Sequence, residues 1–226
     1  MFKTLTKLIA LGLVVVFTGC ANVAKMPLGA GNADVSAKSI LLAKVHVVNL
    51  NKPGHQPDLF SVVLEQNGEQ RVFKAPTLVV DNGAGGKEYF VSVQANPGKA
   101  VLKVVTFTRS VPLLLNAIAA LPLEYAIDVP ANQVVYVGNI DAKIKPRADG
   151  QPRAGSVIPL IDQAVAGFST GTFDVQITDN YDQDTAELRS KYPYLAKQDI
   201  SKLVLPQWTH PDLRDKKNTV IAVNTK

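Results

Sequence analysis

Four stretches in the middle of the chain place apolar side chains at every second residue. They are Phe60, Val62 and Leu64; Tyr89, Val91, Val93 and Ala95; Leu123, Tyr125, Ile127 and Val129; and Phe173, Val175 and Ile177. A period of two is that of a β-strand with one face in a core and the other toward water, and a helix cannot satisfy it. Ser39 to Leu50 is a longer Val/Leu/Ile run and reads as a buried strand. Val134 to Ile144 reads as a long strand with Val134, Tyr136, Ile140 and Ile144 on one face, and Thr77 to Val80 as a short one. Asn67-Gly68 is the strongest short hairpin signal, with Arg71 to Lys74 as the returning partner. In Asn96-Pro97-Gly98-Lys99 the proline presets φ and the glycine tolerates positive φ, which predicts a turn with Val101 to Arg109 returning. No alternation of strands with helices is present, so a parallel doubly wound sheet is excluded. The expectation is a mainly β protein, an antiparallel β-sandwich of about 7–9 strands.

Two segments read differently. Asp184-Thr185-Ala186-Glu187 has the logic of a capping box, followed by Leu188, Tyr192 and Leu195 at helical spacing. A short helix is predicted from about Thr185 to Tyr192, stopped by Pro193, with another helical turn near Asp199 to Leu203. Val111 to Pro122 is uncharged and apolar between two prolines. As a crossover helix over 111–121 it would put Leu114, Ile118 and Leu121 on one face, widened by Leu115. That face either plugs one end of the sandwich or stands exposed as a docking patch. Residues 157–168 form a second apolar insertion that packs with it.

At 226 residues with 46% hydrophobic content, the chain suffices for one good-sized domain or two small ones, and a mainly disordered chain is excluded. A single cysteine excludes a disulfide framework and any multi-cysteine metal site. That cysteine is Cys20. Before it, Lys3 and Lys7 precede ten apolar residues, Leu8 to Phe17, about half the length of a membrane span. A basic start, a short apolar centre and small residues before a cut make a secretory signal peptide. The formal charge of +5 falls to +3 once Lys3 and Lys7 are removed.

Phe17-Thr18-Gly19-Cys20 resembles the lipobox of bacterial lipoprotein precursors, with Phe17 where the family carries an aliphatic residue. The resemblance implies lipid on the Cys20 thiol, cleavage between Gly19 and Cys20, and acylation of the new amine. Ala21 after the cysteine implies retention at the outer membrane. One acyl chain binds a membrane only marginally, whereas several on one residue hold it firmly. Residues 87–146 and 172–195 are similar to a group of uncharacterised bacterial lipoproteins with an immunoglobulin- or transthyretin-like sandwich. The features that carry this are Tyr89 to Val93, the Asn96–Lys99 turn, Gln133 to Ile140 and Phe173 to Tyr181. The chain thus divides into a signal peptide (1–19), a lipidated tether (20–38), a sandwich domain with its helix (39–205) and a tail (206–226). Within the tail, 219–223 reads as an edge strand or as disordered chain.

Catalytic patterns find no support. His46, His55 and His210 have no second histidine at metal-binding spacing. Asp174, Asp179, Asp182 and Asp184 lack the glycine and the final glutamate of a calcium loop, and read as acids favouring a helix start. There is no Gly-x-Ser-x-Gly elbow, and the glycines of 83–86 do not open a helix or carry the ending of a phosphate loop. No metal or cofactor is expected. Lys143, Lys145, Arg147 and Arg153 form a basic stretch without interleaved aromatics, suited to anionic envelope groups and not to nucleic acid. The leading expectation is a non-catalytic structural or interaction lipoprotein on the periplasmic face of the outer membrane. It binds a protein partner through Leu114, Leu115, Ile118 and Leu121 or through Lys143, Lys145, Arg147 and Arg153. The alternative is a small-ligand binder with its pocket between the sheets and the 157–168 insertion; an envelope hydrolase has least support.

Overall fold

The computed structural model describes residues 22–28, 34–75, 80–81, 85–110, 116–157, 164–214 and 220–221. Twelve strands are present among them. These are β1 (Asn22–Lys25), β2 (Ser39–Asn49), β3 (Asp58–Gln66), β4 (Glu69–Lys74), β5 (Val80–Asp81), β6 (Lys87–Ala95), β7 (Gly98–Arg109), β8 (Ala117–Val129), β9 (Val134–Pro146), β10 (Gly171–Thr178), β11 (Ile200–Lys202) and β12 (Val220–Ile221). One α-helix, α1 (Tyr181–Lys191), follows β10. The first sheet has the order β1-β4-β3-β7-β8-β12; the second runs β10-β9-β2-β6-β5, with β11 also on β9. The inner faces of both bury one apolar core, among them Leu41, Val45, Leu64, Phe73, Phe107, Leu123, Ile127 and Ile140.

Strands β2, β3, β4, β6, β7, β9, β10 and β8 from Leu123 onward fall where the sequence places strands, and Asn67-Gly68 makes its hairpin between β3 and β4. Of the strand expected at Thr77 to Val80, residues 77–79 lie outside the described residues. Their directions depart from the antiparallel expectation. β1 on β4, β2 on β9, β11 on β9 and β12 on β8 are parallel, so both sheets are mixed. Alternation reports which face a residue occupies and carries no information about direction. The Asn96–Lys99 turn also differs. β6 lies in the second sheet and β7 in the first, so the chain arches across the core instead of forming a hairpin.

Two irregularities overturn face assignments. A shift in register at Leu59/Ser61 turns Phe60 out into solvent, 45% exposed, while Leu59, Val62 and Leu64 face the core. In β9 the register against β2 shifts between Leu42 and Lys44, opposite Tyr136 and Asn139. Gly138 sits at this bulge with φ +121°, a conformation that side chains disfavour. Val134 and Tyr136 therefore face outward beneath α1, whereas Ile140 and Ile144 face the core.

The crossover helix expected over 111–121 is replaced, in its described part, by the start of β8. Ala117, Ala119 and Leu121 point inward, and Ile118 and Ala120 outward. Ala119 and Leu121 are core alternation of the same kind as Leu123 to Val129, which extends the strand backward. Residues 111–115 lie outside the described residues. The helical turn expected at 199–203 is β11, and a 3₁₀ turn occupies Pro193–Leu195.

The described parts of both terminal segments, 22–28 and 206–214, pack on the body. β1 pairs with β4, and Met26 and Leu28 are buried behind it. The Leu28 amide donates to Ser92 Oγ at 3.1 Å, so 22–28 laces the edge of the first sheet to the outer face of the second. The segment expected to be a free spacer is thus docked from Asn22 to Leu28. On the opposite side the Leu203 and Leu205 amides donate to the Tyr136 and Val137 carbonyls. Trp208 Nε1 then donates to the Pro122 carbonyl at 2.8 Å, and the Arg214 guanidinium lies 4.3 Å from the centre of the Tyr125 ring. Residues 206–214 therefore form a strap, and Val220–Ile221 pairs with β8.

Candidate functional site

The outer face of the second sheet changes character along its length. Ile40, Leu42, Phe90, Val134 and Tyr136 form an apolar half, covered by Leu188 of α1 and by Leu28, Leu195 and Ile200. Phe90 meets Tyr192 edge-on, with ring centres 6.5 Å apart. Beyond this cover the same strands carry charge. The Lys44 ammonium lies 2.8 Å from Glu187, 3.3 Å from Glu88 and 3.8 Å from Asp184. Burial opposes its charge, Glu187 and Glu88 outweigh burial, and its pKa stands above the ordinary lysine value.

Asp184 is 1% exposed and does not cap the helix. α1 begins at Tyr181, so Asp184 falls inside its first turn, turned toward the sheet. It accepts from the Tyr136 hydroxyl at 2.6 Å and from Asn139 Nδ2 at 3.1 Å. Burial, reinforced by this bond to Asp184, pushes the Tyr136 phenol well above its ordinary range. The bulge at Gly138 brings Tyr136 and Asn139 to the same face, three residues apart, where both reach Asp184. Lys44 occupies the place among three carboxylates that a cation would take. Among the described residues no three His, Cys, Asp or Glu side chains are arranged to hold a metal ion.

Next along β2, His46 Nδ1 donates to Asp141 Oδ1 at 2.8 Å, and Asp141 Oδ2 pairs with Lys143 at 2.9 Å. Burial works against the Asp141 charge, but Lys143 and His46 together hold its carboxyl below the ordinary range. A His–Asp pair is the orienting half of a nucleophilic triad, which needs a hydroxyl or thiol on the other ring nitrogen. His46 Nε2 is buried without a partner, and a β-carbon on Gly86 would collide with it. Gly86 thus closes on the position a nucleophile would need.

The sites expected from sequence separate into three groups. Gly19, Cys20, Leu114 and Leu115 lie outside the described residues. Ile118 and Leu121 occupy opposite faces of β8, 42% and 0% exposed, so they do not form one docking face. Lys143, Lys145, Arg147 and Arg153 do gather at the end of the sandwich where β9 finishes and β10 begins. Lys143 binds Asp141, Lys145 binds Asp174, Arg147 donates to the Gln151 carbonyl, and Arg153 donates to the Ser169 carbonyl. Two of the four cations are therefore matched by acids.

The space between the sheets is nearly filled, with a cavity of about 10 Å³ among core side chains. That is about one water's worth of room. A surface groove of about 730 Å³ opens at the other end, between Asn132, Gln133, Arg189, Lys197 and Asp199. No family model matches the chain, and neither the curated proteins nor the solved structures gave a match.

Proposed function

We propose that this chain is a lipid-anchored, non-catalytic structural or interaction module on the periplasmic face of the outer membrane. The observation that carries the proposal is the position of the only cysteine. Cys20 follows a ten-residue apolar run and Thr18-Gly19, and stands two residues ahead of the docked strand β1. No helix among the described residues is long and apolar enough to cross a membrane, and a lipidated cysteine needs none.

The interaction part of the reading is supported at the end of the sandwich where β2 and β9 finish. Leu50, Phe60, Ile118, Val157 and Val165 are exposed on segments that begin or end there, and Arg147 and Arg153 belong to the same end. Apolar side chains set among cations suit a protein surface that is itself partly acidic. Labelling cells with a palmitate analogue tests the anchor. Wild type takes up label and sediments with membranes, and Cys20→Ala does neither. Equal labelling of both overturns the anchor. Crosslinking from a photoreactive residue at Ile118 or Val157 captures one envelope protein reproducibly; capture that Arg147→Glu with Arg153→Glu leaves unchanged overturns the assignment of the docking surface.

A further inference from the structure

The docking of β1 so close to Cys20 fixes more than attachment. Strand β1 runs parallel to β4 with Asn22 opposite Arg71, three residues past Gly68 of the hairpin. Asn22, the first described residue, therefore lies beside that hairpin. Cys20 is two residues back, and two residues span at most about 7 Å. The hairpin is itself joined to the β6–β7 arch, since Gln66 Nε2 donates to the Asn96 carbonyl at 2.8 Å and the Asn96 amide donates to Gln66 Oε1 at 2.9 Å. The entry of β1, the Asn67-Gly68 hairpin and the Asn96-Pro97-Gly98 arch make one corner of the sandwich. The opposite end, with loops 50–57 and 146–157, lies a full strand away. β8 has 13 residues, about 40 Å at the usual rise.

We infer that this corner is the membrane-facing surface of the protein, and that its partner is the headgroup layer of the leaflet into which Cys20 is anchored. The inference rests on the lipid-anchor reading and adds a fixed orientation to it. A flexible spacer would let the body tumble, and residues 22–28 leave none. Glu69, Lys99 and Asn67 then lie against the headgroups, while Gly54, Asp149 and Val157 point away from the leaflet.

Because Cys20 is consumed by lipid, one added cysteine takes one fluorophore. Full-length lipidated protein carrying Glu69→Cys, Lys99→Cys, Gly54→Cys or Asp149→Cys is placed in phosphatidylethanolamine/phosphatidylglycerol vesicles with a short-range acceptor on the headgroup. Transfer at 69 and 99 is expected to exceed that at 54 and 149 several-fold. A Gly/Ser spacer of about ten residues between Ala21 and Asn22, reaching some 15–20 Å, removes the difference. Unlabelled wild type gives a parallel reading: amides of 66–70 and of Asn96, Gly98 and Lys99 exchange more slowly in vesicles than in detergent. Equal transfer at all four sites with Cys20 shown by mass to be lipidated overturns the orientation alone. An unlipidated Cys20 overturns the anchor and the orientation together.

Discussion

At the scale of single residues, the polar cluster beneath α1 sets the most exacting demands. Lys44 is the cation set among three carboxylates, so Lys44→Met leaves Glu88, Asp184 and Glu187 facing one another. Glu88 and Glu187 retain some solvent, so the expected cost is about 3 kcal/mol, at the low end for breaking a buried ion pair, read as a shift in urea midpoint. Tyr136→Phe removes the hydroxyl that Asp184 accepts and should cost about 1.5–3 kcal/mol, the range for a hydrogen bond to a charged group. Both groups also set a pH dependence. Tyr136 titrates above its ordinary 10.0 and Lys44 above 10.5 in the folded chain. The unfolded chain therefore releases these protons first, and folding holds them. Their contribution is complete below about pH 10 and is lost as pH rises through the folded values. Thermal midpoints should hold level from neutrality to about pH 10 and then fall, with a shallower fall in Tyr136→Phe; an equally steep fall in that variant would contradict the role given to Tyr136. None of this was legible beforehand. Asp184 stands three residues before Glu187, as in a capping box, and only the earlier start of the helix at Tyr181 turns it inward. Gly138 carried no signal of its own in a run of β-branched residues, yet its bulge decides which face Tyr136 and Asn139 occupy.

At the scale of elements, the strands and their main hairpin were readable because half-buried strands must alternate. The limits of that signal are visible in particular places. Val111 to Pro122 looked helical because its apolar residues are nearly continuous, but from Ala117 onward the inner positions, Ala117, Ala119 and Leu121, alternate with outward ones as the rest of β8 does. The alternation of β3 misplaced Phe60, because a bulge shifts faces without changing composition. The straps were invisible for another reason. β1 attaches through backbone hydrogen bonds, and its side chains are largely exposed, so Asn22 to Lys25 carries no periodicity at all. Only Met26 and Leu28 mark it, as isolated apolar residues in a polar, glycine-rich stretch. Their burial gives a direct test. Met26→Ala with Leu28→Ala in the domain lacking 1–20 should lower stability by about 4 kcal/mol or more, at 2–5 kcal/mol for each large-to-small change in a core. A change under 0.5 kcal/mol, as expected for surface positions, would return the segment to the role of a spacer. Trp208→Ala tests the opposite strap in the same assay, with an expected loss of about 3 kcal/mol from aromatic packing and the bond to the Pro122 carbonyl.

At the scale of the molecule, the two ends of the sandwich differ. One end receives the chain from Cys20 and is joined by the Gln66–Asn96 hydrogen bonds. The other collects exposed apolar side chains and the basic residues, about 40 Å away along the strands. If the proposed anchor and docking surface hold, the body is fixed at one end and binds at the other, an arrangement suited to bridging a leaflet to something beyond it. The near absence of space between the sheets leaves little room for a ligand there. Everything at this scale depends on chemistry at one sulfur atom. The most direct measurement is the mass of the N-terminal peptide released from the membrane-bound protein. The expected species begins at Cys20, with a diacylglyceryl thioether on its side chain and an acyl group on its amine. A peptide that begins elsewhere, or a Cys20 with a free thiol, would contradict the anchored reading.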